Sequence, residues 1–305
     1  MTTAPTKPLV LLRPHLPLPA LRPALEARFE LRSEPAPGIT AMVASGVVDA
    51  ALMDSLPDLE LIALGTVGYD GVDLDHARRR GISVTNTPDV LTDDVADLAV
   101  ALILAVHRKL PRDDAHVRAG RWPAEGQPSL TRRFSGRRTG IVGLGRIGLA
   151  IAKRLEGFEG EIAYHARHPR EDAAYRYAES AEALAASVDV LVVATPGGAE
   201  TEKLIDRRVI DALGPDGVIV NIARGSVIDE EALVSALVEG RLGGAGLDVF
   251  AQEPHVPEAL RALETVVLLP HQGSGTIETR AAMAALVVAN LDAFFAGKPL
   301  PTPIR

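Results

Sequence analysis

The sequence predicts an α/β protein of two parallel-sheet domains, one inserted into the other. Three observations predict it. Short runs rich in Val, Ile and Leu alternate with helical stretches along the chain, the pattern of βαβ units. The 305 residues are enough for two cores. Two separate series of strand-like runs are divided by a long helical stretch and a segment rich in Gly, Pro and Arg.

The first series reads Leu9 to Leu12, Ala41 to Ala44, Leu61 to Leu64 and Ile82 to Thr85, with helices expected from Leu16 to Phe29 and Val72 to Arg79. A single long helix is expected from about Asp93 to Arg118, because acidic residues open it and basic ones close it, as the helix dipole favours. The segment Gly120 to Gly136 reads as a linker. Six strands follow: Thr139 to Val142, Ile162 to His165, Val190 to Ala194, Val218 to Ile222, Gly246 to Val249 and Val266 to Leu269. That is a full set for a doubly wound sheet. A last helix, Thr276 to Phe295, returns to the first domain. The expected division is 1–99 with 273–305, and 100–272.

Composition narrows the function. Hydrophobic residues make up 47% and charged residues 24%, ordinary for a globular protein, while aromatics are only 4%. The core must therefore be aliphatic. A net charge of −8 excludes a general nucleic-acid binder, which needs a basic face. The absence of cysteine excludes disulfides and thiolate chemistry, and no metal site is expected. Prolines interrupt the N-terminal apolar residues, so no targeting segment is expected. The longest apolar run, Leu98 to Val106, is too short to span a bilayer. A cytoplasmic protein with no membrane or nucleic-acid partner is the expectation.

Gly143-Leu144-Gly145-Arg146-Ile147-Gly148 follows a strand and opens a helix. That context turns a common glycine pattern into a dinucleotide turn. One glycine makes the bend, one admits the pyrophosphate, and one lets the helix pack on the sheet, while the helix N-terminus favours phosphate. An NAD site has an acid near the end of the next strand. Here that place falls at Ala166, followed by Arg167, His168 and Arg170. A guanidinium binds a 2′-phosphate, whereas a carboxylate would repel it. NADPH is therefore the preferred cofactor, with NADH usable.

Three residues lie past the ends of later strands, where ligands of open parallel sheets bind. Arg224 can hold a substrate carboxylate and polarise a carbonyl. His271 can donate a proton to the carbonyl oxygen as hydride arrives on carbon. Glu253 can orient the imidazole and favour its protonated form. Together they suit reduction of a 2-keto acid.

These segments resemble the D-isomer-specific 2-hydroxyacid dehydrogenase family over nearly the whole chain. The resemblance is carried by the glycine turn, by Asn221-Ile222-Ala223-Arg224-Gly225, by Gly246-Leu247-Asp248-Val249-Phe250 with Glu253-Pro254, and by Pro270-His271 with Gly273-Ser274. The runs Val84 to Asp97 and Ser235 to Gly246 are most similar to the hydroxypyruvate and hydroxyphenylpyruvate reductases, which also reduce glyoxylate and prefer NADPH. The resemblance implies two Rossmann-like or flavodoxin-like domains with a cleft that closes over small 2-keto acids, and a homodimer. It implies that Thr66-Val67-Gly68 binds the substrate carboxylate through backbone N–H groups. It places Thr195, Pro196, Ile222, Ala223, Asp248, Gly273 and Ser274 along the cofactor. It sets Trp122 where an aromatic reaches the partner's substrate. Pro196-Gly197-Gly198-Ala199 departs from the bulkier Leu-Thr-Pro stretch of relatives. Two alternatives stay open. One is an NAD-dependent dehydrogenase of another D-2-hydroxy acid, such as phosphoglycerate or lactate. The other is a nucleotide-sensing, corepressor-like protein on the same scaffold.

Overall fold

Runs of aliphatic residues with no polar alternation belong in strands covered on both faces, and parallel sheets need that cover. The computed structural model, which describes residues 7–14 and 16–304, shows two such sheets with every strand pair parallel. The expectation of no targeting segment rests partly on residues 1–6, which lie outside the described residues.

The chain divides into two compact units, 1–91 with 274–305, and 92–273. In the first, β1 (Leu9–Leu12), α1 (Leu21–Glu26), β2 (Glu30–Arg32), β3 (Ala41–Ala44), α2 (Ala50–Asp54), β4 (Leu61–Leu64), α3 (Leu74–Arg79) and β5 (Ser83–Thr85) follow in order. The sheet order β2-β1-β3-β4-β5 is the flavodoxin-like arrangement. Its core includes Leu11, Met42, Met53, Ile62 and Val84, all buried.

The second unit contains α4 (Thr92–His107), α5 (Leu110–Arg118), α6 (Trp122–Glu125), β6 (Thr139–Val142), α7 (Arg146–Leu155), β7 (Ile162–His165), β8 (Arg176–Tyr177), α8 (Ala181–Ala185), β9 (Val190–Val193), α9 (Arg207–Leu213), β10 (Val218–Asn221), α10 (Glu230–Val238), β11 (Gly244–Leu247), α11 (Glu258–Arg261) and β12 (Val266–Leu268). Its order β12-β11-β10-β9-β6-β7-β8 is the doubly wound dinucleotide pattern with one strand added. The strand order reverses between β6 and β9, the switch point outside which ligands of such sheets bind. Helix α12 (Ile277–Phe295), capped by the Thr276 side chain, completes the first unit. It packs on α1 and β4, where Phe29 and Phe295 stack 5.3 Å apart. The tail then extends the sheet edge, with Ile304 N donating to Val84 O at 2.8 Å.

Several expected elements differ. The single helix over Asp93 to Arg118 is two helices, α4 and α5. Lys109 turns left-handed at φ 46°, and Pro111 stands in the first turn of α5. Inside a continuous helix that proline would lose a hydrogen bond and clash with the preceding turn. The helix expected from Leu16 to Phe29 shortens to α1 because Pro17 and Pro19 precede it. The strand expected over Gly246 to Val249 lies two residues earlier, as β11. A side chain at Gly246 would press on Leu102 at 3.0 Å, so small residues let α4 lie against this strand. The expected six-strand set gains β8, and the linker over Gly120 to Gly136 contains α6. The unit boundary falls at Leu91/Thr92, so α4 lies whole within the second unit where the sequence division cut it at 99/100. Among the described residues, no helix is long and apolar enough to cross a membrane.

Candidate active site

The glycine turn sits between the ends of β6 and β9. Gly143 has φ +95°, a conformation that favours glycine, and a side chain there would strike the Thr195 backbone at 2.7 Å. A side chain on Gly148 would lie 2.0 Å from the Gly143 carbonyl, so glycine is what lets α7 start so close to β6. Gly145 differs. A Cβ there would meet no atom within 4 Å, and no side chain caps the N-terminus of α7. Protein packing therefore does not explain Gly145. An open turn at the positive end of a ten-residue helix, with no side-chain cap, suits a pyrophosphate. Leu144 is buried beneath the turn, Ile147 is partly buried, and Arg146 is exposed.

Beyond β7 the chain bends through Ala166, Arg167 and His168. Tyr177 Oη donates to Ala166 O at 3.2 Å and fixes the bend. Ala166, where an acid would be expected in an NAD site, carries none. Arg167 and Arg170 separate in role. Arg170 donates to Leu144 O at 2.8 Å and forms two bonds to Asp172, while its own N–H reaches Tyr164 Oη at 2.7 Å. It ties this loop to the glycine turn. The Arg167 side chain is 81% exposed and, among the described residues, bonds Glu200 at 2.7 Å. His168 is exposed.

The chemical residues come together on the ends of β10, β11 and β12. His271 Nδ1 and Glu253 Oε2 lie 2.8 Å apart. The other Glu253 oxygen accepts from Phe250 N at 3.1 Å. Burial pushes the Glu253 carboxyl upward, but the His271 hydrogen bond and charge, the Phe250 N–H and the charge of Arg224 outweigh it. The net effect holds Glu253 below the usual carboxylate range, so it stays ionised beside the imidazole. Arg224 follows β10, where its Nη1 bonds Ala223 O at 2.7 Å. Buried Asn221 shapes this loop by accepting from Ala223 N and donating to Arg224 O, each at 3.0 Å.

Asp248 holds the histidine loop. Its carbonyl accepts from His271 N at 2.8 Å, and its carboxylate accepts from Gln272 N at 2.6 Å and Gly273 N at 2.8 Å. Burial raises its carboxyl against the pull of these N–H groups. Asp248, which the resemblance sets along the cofactor, thus also fastens the loop that carries His271 at φ 54°. Thr195 and Pro196 leave β9 beside Gly143, and Ile222 and Ala223 are buried under Arg224. Ser274 is the first residue back in the other unit.

In that unit, Thr66-Val67-Gly68 leaves the end of β4. Thr66 Oγ1 donates to Gly68 O at 2.8 Å, and Asn86 Nδ2 donates to Val67 O at 2.7 Å. The carbonyls are thereby engaged. Trp122 opens α6 and is 54% exposed.

A family model described as the NAD-binding domain of D-isomer-specific 2-hydroxyacid dehydrogenases matches residues 100–273. The chain belongs to this family. It is 59% identical over 256 residues to a hydroxyphenylpyruvate reductase of Plectranthus scutellarioides, covering 84% of this chain and 82% of that one. It is 56% identical over 261 residues to a glyoxylate/hydroxypyruvate reductase of Arabidopsis thaliana, covering 86% and 83%. The NADPH-dependent glyoxylate/hydroxypyruvate reductase of Sinorhizobium meliloti, solved with NADP and malonate, superposes with a TM-score of 0.94 at 45% identity over 98% of this chain and 97% of that one. As a D-2-hydroxyacid dehydrogenase the chain is a nicotinamide-dependent oxidoreductase. Sequence reasoning missed Asn221 and Asn86, which position their loops, and Glu200, which meets Arg167. Asn221 heads a quoted motif, so its signal was present. The other two depend on contacts across the fold.

Proposed function

We propose that this D-2-hydroxyacid dehydrogenase reduces small 2-keto acids, glyoxylate and hydroxypyruvate foremost, with NADPH. The observation that carries the reading is the Glu253–His271 pair at 2.8 Å, with Arg224 close enough to act on Glu253, on strand ends of a dinucleotide domain. The bound cofactor supplies a hydride. Because Nδ1 of His271 faces Glu253, Nε2 is the ring's free end and delivers the proton to the carbonyl oxygen. Ionised Glu253 stabilises the imidazolium before that transfer. Arg224 binds the substrate carboxylate and polarises the carbonyl. The N–H groups of Thr66-Val67-Gly68 are assigned to the carboxylate by family resemblance, with their carbonyls already engaged. The absence of an acid at Ala166 and the exposed Arg167 support NADPH, as do the named cofactors of the Sinorhizobium relative. Retained acid–base chemistry speaks against a sensor that has lost turnover.

The protein works as a cytoplasmic homodimer in this reading. Leu110, Val117, Trp122 and Leu130 are each exposed within one stretch from α5 to the loop beyond α6, and apolar side chains left in solvent there suit burial against a second copy. Light scattering of wild type and Trp122→Ser tests this, with a monomeric wild type as the contrary result. For the reaction, NADPH and NADH are assayed against glyoxylate, hydroxypyruvate and hydroxyphenylpyruvate, with the product's configuration determined. A higher kcat/KM with NADPH and a D product are expected. A clear NADH preference, or no reduction of any of the three, contradicts the proposal.

A further inference from the structure

We propose that Glu200 weakens the 2′-phosphate site by holding Arg167, and so sets how strongly the protein prefers NADPH over NADH. The inference rests on the assignment of Arg167 to that phosphate. Arg167 follows β7 and Glu200 follows β9, and these strands lie on either side of β6 and its glycine turn. The 2.7 Å bond between them therefore joins two loops across the mouth of the dinucleotide site.

Glu200 is held in place by its own loop. Gly198 turns at φ 127°, and Thr201 Oγ1 donates to Pro196 O at 2.7 Å, closing a short 3-10 turn over Ala199–Thr201. This is the stretch where Gly197 and Gly198 depart from the bulkier sequence of relatives. Arg170 cannot substitute for Arg167, because its guanidinium is already divided between Asp172 and Leu144 O. A carboxylate and a phosphate dianion compete for one guanidinium. If Glu200 lets go, the lost ion pair subtracts from binding; if it stays, it repels the phosphate. Both routes act against NADPH. Neither touches NADH, which carries a hydroxyl at the same place.

The pair is exposed, 81% and 75% for the two side chains, so the effect is small. Glu200→Gln is expected to tighten NADPH about twofold to fivefold, the range that an exposed ion pair supports, and to leave NADH unchanged. The gain shrinks as ionic strength rises. Equilibrium titrations of both cofactors on wild type, Glu200→Gln, Glu200→Ala and Arg167→Ala, by ligand fluorescence or calorimetry, read this without turnover. Both Glu200 variants tightening NADPH alone is the predicted result. The proposal is overturned if they leave NADPH unchanged, weaken it, or shift both cofactors equally, while Arg167→Ala weakens NADPH. If Arg167→Ala leaves NADPH binding intact, the phosphate assignment beneath the proposal is itself wrong.

Discussion

Replacing Glu253 with Gln keeps the size of the side chain but removes the charge beside His271. The two groups are 2.8 Å apart, with side chains 47% and 35% exposed. At an effective dielectric of about 20 a pair of unit charges 2.8 Å apart would be worth about 6 kcal/mol, and solvent screening of these part-exposed groups reduces that to about 1.4 kcal/mol, a factor of about ten in rate. The variant should therefore lose about tenfold in kcat/KM for reduction at neutral pH, where Glu253 is ionised. The gap should close in acid, as pH falls through the lowered folded value of Glu253 and the wild type loses the same charge. Initial rates of NADPH oxidation with saturating cofactor across this range make the comparison. A loss equal at every pH would mean that Glu253 only positions the ring, and no loss would remove it from the account.

Further outcomes follow from the same geometry. Glu253 titrates below its usual range in the folded protein, so its ionised form contributes stability above the ordinary carboxylate range, and that contribution disappears as pH falls through the folded value. The Tm difference between wild type and Glu253→Gln should accordingly be largest near neutrality and fade in acid; a difference that grows on acidification has the wrong sign. Arg224→Ala should raise KM for the keto acid and lower kcat while NADPH binding, followed by titration, stays within about twofold. Gly148→Ala should cost about 1–3 kcal/mol and several degrees of Tm, since its Cβ would lie 2.0 Å from a carbonyl oxygen. Gly145→Ala should melt like wild type, since its Cβ meets nothing within 4 Å, yet bind NADPH at least about tenfold more weakly. Equal behaviour of the two glycine variants in both assays would contradict a phosphate-binding turn.

The aliphatic strands were legible because burial on both faces leaves no polar residue to blur them. Runs such as Leu61–Leu64 and Val190–Val193 need no tertiary information. What escaped depends on neighbours. Glu30–Arg32 and Arg176–Tyr177 are polar edge strands that exist because a partner strand offers hydrogen bonds. Gly244–Leu247 is poor in strand formers and is held by β10, β12 and the close approach of α4. Pro111 was readable as a helix breaker, but the acid-to-base gradient across it favoured one helix. At the site, Arg224, Glu253 and His271 stood out because each follows a strand end. The tasks of Asp248 and Arg170 were less legible, since both bond backbone groups that only the folded loops bring near.

The central claim is that His271 delivers the proton during NADPH-dependent reduction of a small 2-keto acid. The most direct measurement follows NADPH oxidation by wild type and His271→Ala with glyoxylate and hydroxypyruvate, beside a titration of NADPH binding to each. The account predicts turnover by wild type, a loss of about a hundredfold or more in kcat for the variant, and an NADPH affinity that changes little. Near-normal turnover by His271→Ala, or a wild type that binds NADPH and reduces neither acid, would contradict it.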